Sequence, residues 1–141
     1  MSRIQYDQFN ESLNRNFDND ELIILYHVIK KEISFEKNDL QIIKEQLTEL
    51  INNYQENIIP FLGICAALNA LINDDKEDGG FLNIYSIIRL FANKLFNTET
   101  DGYFIPAPNQ ENLWEGKQLE YRMKFMKWFL VQIENMQNLD F

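Results

Sequence analysis

Residues 116–137 read GKQLEYRMKFMKWFLVQIENMQ, and the order of apolar residues in this stretch decides the fold class. Leu119, Met123, Met126, Leu130, Ile133 and Met136 recur at intervals of four, three, four, three and three. On a helix of 3.6 residues per turn that spacing draws one continuous inward stripe, whereas on a strand it would scatter over both faces. After Gly116 no glycine or proline interrupts the pattern. Phe125 and Trp128 lie off the stripe, so this helix is either buried on two sides or presents an apolar surface to a partner.

Upstream the same spacing repeats. A short helix is expected from Tyr6 to Asn16, with Phe9, Leu13 and Phe17 on one face. The next opens on Asp18-Asn19-Asp20-Glu21, acids that suit a helix N-terminus, and carries Leu22, Leu25, Tyr26, Ile29 and Ile33, with Lys30 and Lys31 at the end where the dipole favours cations. A third has Asn38 as its cap and Gln41 three residues on, then Leu40, Ile43, Leu47, Leu50, Ile51 and Tyr54 as its stripe. Pro60, which lacks the donor a helix interior needs but fits a first turn, opens a fourth over about residues 60–72. Its apolar side chains, from Phe61 and Leu62 to Leu71 and Ile72, cover the whole circumference, as in a central helix.

Asp74-Asp75-Lys76-Glu77-Asp78-Gly79-Gly80 reads as a turn, because its carboxylates repel and its two glycines allow backbone angles that other residues resist. A fifth helix follows with Ile84, Ile87, Ile88, Phe91, Leu95 and Phe96, ending near Asn97. Residues 98–115 contain Gly102, Pro106 and Pro108 and read as one long ordered loop. The expectation is therefore an all-α fold: a single domain over residues 1–141, a compact bundle of about six helices around the apolar helix at 60–72. Only five glycines and three prolines are present, too little punctuation for a sheet protein or a multidomain chain.

Composition narrows the function classes. Apolar residues make up 45% of the 141, enough for one core. The single cysteine, Cys65, excludes an internal disulfide framework and sits in the apolar run from Ile58 to Ile72. That run contains Pro60 and Asn69 and is shorter than the roughly 20 residues that span a bilayer, and the first residues lack an apolar signal region, so a cytoplasmic location is expected. Twenty-two acids against thirteen bases give a net charge of −9 and a pI near 4.5. Such a chain is ill-suited to neutralise nucleic-acid phosphates or anionic lipids. The imbalance is uneven. Residues 116–141 hold Lys117, Arg122, Lys124 and Lys127 against Glu120, Glu134 and Asp140, so the acidic excess belongs to the chain before them.

Candidate chemistry is sparse. The acidic turn from Asp74 departs from a calcium loop twice: Lys76 takes a ligand position and Tyr85 stands where the bidentate glutamate belongs. His27, the only histidine, falls in an apolar helix pattern and is expected to be packed or hydrogen-bonded in the core. A nucleophile–base pair of Cys65 with His27 would need those two to meet, yet Cys65 lies in the helix expected to be least accessible. Glu45 and Glu49 sit side by side on a helix face, where paired carboxylates are ordinarily solvated surface. No serine elbow, phosphate loop or metal-ligand cluster is legible, so neither catalysis nor a metal or other cofactor is expected.

Aromatic residues outside the stripes carry the remaining signal. Tyr103, Phe104 and Trp114 accompany Glu99, Asp101, Glu111 and Glu115, and aromatic anchors rimmed by charge suit protein interfaces. For Phe104 and Trp114, pinning the loop to the core is the competing explanation. In size, acidity and lack of a catalytic motif the whole chain resembles the immunity proteins of bacterial toxin systems, especially those of contact-dependent growth inhibition. That resemblance is one of general character and carries over no individual residue. It implies a monomer that binds a basic protein toxin, a nuclease, in a one-to-one complex and covers its active-site cleft with acidic residues. From charge density and aromatic content, the expected partner surface is Asp74, Asp75, Glu77, Asp78, Glu99, Asp101, Tyr103, Phe104 and Trp114. A small acidic secretion chaperone or regulatory adaptor, holding an extended segment of its partner, is the alternative, and Phe125 and Trp128 are the features that favour it.

Overall fold

The computed structural model describes residues 6–33, 35–53, 84–97 and 118–139, and within them the fold is all-α. Five helices lie among the described residues: α1 Tyr6–Ser12, α2 Asn19–Glu32, α3 Lys37–Asn53, α4 Ile84–Phe96 and α5 Gln118–Gln137. The expected helix at 60–72, the turn at Asp74–Gly80 and the loop at 98–115 lie outside the described residues.

Local chemistry explains the ends of these helices. Asp18 sits in an extended conformation before α2 and its carboxylate accepts from the Glu21 backbone N–H at 2.8 Å, while the Asp18 N–H donates to Glu21 Oε1 at 3.0 Å. This reciprocal capping box satisfies two donors that the first turn leaves without helical partners. The α3 cap differs from the expected Asn38: the Glu36 N–H donates to Asp39 Oδ2 at 2.8 Å, so the buried Asp39 reaches back one turn instead. Helix α1 stops at Ser12, short of the expected Asn16, and Phe17 enters the core from a non-helical segment. At the end of α4, Asn97 adopts a φ of 53°, a left-handed conformation that asparagine tolerates better than most residues.

The core is built around α5. Lys37 Nζ donates to the Leu139 carbonyl, Gln137 Nε2 to Gln41 Oε1, and Lys44 pairs with Glu134 at 3.6 Å, so α3 and α5 run antiparallel with their backbones close. Met123, Met126, Leu130 and Ile133 occupy the side of α5 that bears Glu134 and Gln137, which is the stripe read from the sequence. The opposite side is aromatic. Phe129 meets Phe91 of α4 edge-on at 4.9 Å, Phe125 stacks with Phe96 at 6.5 Å, and Trp128 meets Phe17 edge-on at 5.2 Å. These rings fill the space between α5 and α4, and α4 also runs antiparallel to α5. Phe125 and Trp128 are therefore buried, at 0% and 6% exposure, and α5 is enclosed on two sides.

Helix α2 packs against α4 and α5. Leu22, Leu25, Tyr26 and Ile29 face the core as the spacing predicts. Its other end is tied to α4, where Arg89 approaches Glu32 at 3.8 Å.

Candidate functional site

All nine residues of the expected partner surface fall in two stretches outside the described residues: Asp74, Asp75, Glu77 and Asp78 in 54–83, and Glu99, Asp101, Tyr103, Phe104 and Trp114 in 98–117. Cys65 lies there too, so its pairing with His27 has no geometry to report. The structure does locate where the second stretch leaves and rejoins the helices. Phe96, the last residue of α4, stacks on Phe9 of α1 at 5.6 Å, and Tyr121 in the first turn of α5 meets the same Phe9 edge-on at 5.6 Å. The rings flanking 98–117 are thus at most twice that distance apart. Gln8 of α1 also donates from Nε2 to the Phe96 carbonyl at 2.7 Å. On both sides of this acidic, aromatic stretch, then, the flanking helices pack on α1.

The charged side chain that reaches this junction is a base: Lys124 of α5 approaches Asn10 Oδ1 of α1 at 3.4 Å and lies over the Tyr121 ring at 5.8 Å. Asp7 and Glu11 are exposed four residues apart on α1, where they share a face, and Asp18 and Asp20 are exposed at the start of α2. Arg15 is the one base in residues 6–21, against five acids. Its guanidinium is engaged within that segment, bonding both carboxylate oxygens of Glu21 at 3.1 and 3.2 Å and lying over the Phe17 ring at 5.1 Å. Burial works to raise the pKa of the Glu21 carboxyl, but the Asp18 backbone N–H, the Arg15 guanidinium and the charge of Lys94 together hold it below the ordinary carboxylate value. The spacing of Asp7 and Glu11 is visible in the sequence.

The segment joining α1 to α2 is clamped onto α5. Trp128 Nε1 donates to the Arg15 carbonyl at 2.8 Å, Gln132 Nε2 donates to Asn16 Oδ1 at 2.8 Å, and Gln132 Oε1 accepts from the Phe17 N–H at 2.9 Å. Gln132 is fully buried, and these bonds satisfy both ends of its amide. Through this clamp the acidic α1 is held in register with the aromatic face of α5.

Charge is distributed unequally between the described residues and the two stretches 54–83 and 98–117. The described residues contain twelve acids and ten bases. Residues 54–83 hold Glu56, Asp74, Asp75, Glu77 and Asp78 against Lys76, and 98–117 hold Glu99, Asp101, Glu111 and Glu115 against Lys117. Most of the net charge of −9 therefore resides outside the described residues.

His27 corrects an expectation. It is exposed on α2 with its ring edge-on to Tyr26 at 5.6 Å, because the residues that face the core from this helix are 22, 25, 26 and 29, and position 27 points away from them. Glu45 and Glu49 are exposed on α3, and Glu45 accepts from Gln41 Nε2 at 2.8 Å. Among the described residues no group of three metal-ligating side chains assembles, and no helix is long and apolar enough to cross a membrane. Comparison with family models, with characterised proteins and with solved structures gave no match.

Proposed function

We propose that this chain is an immunity protein of a contact-dependent toxin system. In this reading it acts in the bacterial cytoplasm as a monomer, binds a basic nuclease toxin one to one, and covers the active-site cleft with an acidic surface without making or breaking a covalent bond. The observation that carries the reading is the distribution of charge along the chain: residues 54–83 and 98–117 hold nine acids against two bases, while the described helices are nearly balanced. A nuclease cleft is built to receive phosphates, so carboxylates from Asp74, Asp75, Glu77, Asp78, Glu99 and Asp101 take the place of the nucleic-acid backbone. Their field speeds encounter with a cationic partner and disfavours other partners. Tyr103, Phe104 and Trp114 supply the desolvated anchors that slow dissociation.

The competing reading, a secretion chaperone or regulatory adaptor, draws on Phe125 and Trp128 as the lining of an apolar groove. Both side chains are used inside the core, against Phe96, Phe17 and Phe91, so they lend it no support.

The test is co-expression with the basic C-terminal domain of a large secreted protein encoded beside this chain. That domain alone arrests growth, and the chain restores it. A harmless domain, or toxicity that the chain leaves unrelieved, overturns the proposal. Reversing Asp74, Asp75, Glu77 and Asp78 to lysine slows association by about tenfold or more at low ionic strength, an effect that fades as salt is added. An unchanged association rate removes the 74–78 turn from the interface.

A further inference from the structure

We draw no further inference here: the strongest candidate, the outward apolar pair Ile24 and Val28 on α2 between Asp20 and Lys31, carries flanking charges that any helix favours at its two ends, and nothing in the structure shows what covers it.

Discussion

Helices α2 and α5 look alike in sequence and end differently in the fold. Each has a clear inward stripe, and each carries further apolar residues off it: Ile24 and Val28 in α2, Phe125 and Trp128 in α5. In α2 those residues stay at the surface, Ile24 at 57% and Val28 at 38% exposure, while in α5 they are enclosed. The cause lies in the neighbours. Helix α5 has α3 against its aliphatic side, while α4 and the Asn14–Phe17 segment lie against its aromatic side, and the large rings of Phe91, Phe125, Trp128 and Phe129 bridge helices whose backbones stand apart. Helix α2 meets α4 and α5 along one stripe only. An apolar residue off the stripe thus marks a second interface only where another element arrives to make it one.

The contrast can be broken most directly at Phe129, which is fully buried between α4 and α5. Phe129→Ala is expected to lower unfolding stability by about 3–5 kcal/mol in urea titrations, since a large ring leaves a cavity that its surroundings fill only in part. A loss below about 1 kcal/mol would mean that the aromatic side of α5 is not packed. Next in size is Gln132→Leu, which keeps the volume of the side chain but strands the Phe17 N–H inside the core. It is expected to cost about 1–3 kcal/mol. Amide exchange at Phe17 should accelerate relative to the α3 amides; unchanged protection there sinks the clamp.

The pH dependence of α2 sharpens the other side of the comparison. Because the Glu21 carboxyl is held below its ordinary value in the folded chain, its ionised form contributes stability above the unfolded pKa, and that contribution is lost as pH falls through the folded pKa. Arg15→Ala removes part of the cause. Thermal melts should show the variant less stable than the parent near neutral pH by under about 1 kcal/mol, as expected for an ion pair near the surface. The gap should narrow as pH falls below the ordinary carboxylate range and through the lowered folded pKa of Glu21; a gap of undiminished size at acid pH contradicts the assignment to Glu21. The smallest effect belongs to Ile24→Lys, expected to stay within about 0.5 kcal/mol of the parent because its side chain already faces water. A larger loss would place an undetected neighbour over α2.

Much of the framework is legible in the chain. The stripes of α2, α3 and α4 match the buried residues Leu22, Leu25, Ile29, Leu40, Ile43, Leu47, Ile87, Ile88 and Phe91, since burial at three- and four-residue intervals follows from helical geometry alone. The capping region at Asp18–Glu21 is likewise a local signal. The candidate site was legible only as chemistry, an accumulation of acids and aromatics in two stretches. That the rings flanking 98–117, Phe96 and Tyr121, both pack on α1 depends on Phe9 meeting residues 87 and 112 positions away along the chain. No periodicity encodes that meeting.

What the sequence determined by itself is the helical class, the inward stripe of each described helix and the acidic excess of the chain before residue 116, because each is a property of residues near one another in the chain. What only the tertiary structure decided is that α5 is enclosed on two sides, that His27 faces water, and that Gln132 ties the segment before α2 to the core. Burial on a second face is a property of the elements that arrive there, and elements distant in sequence are brought together by the packing of the whole core.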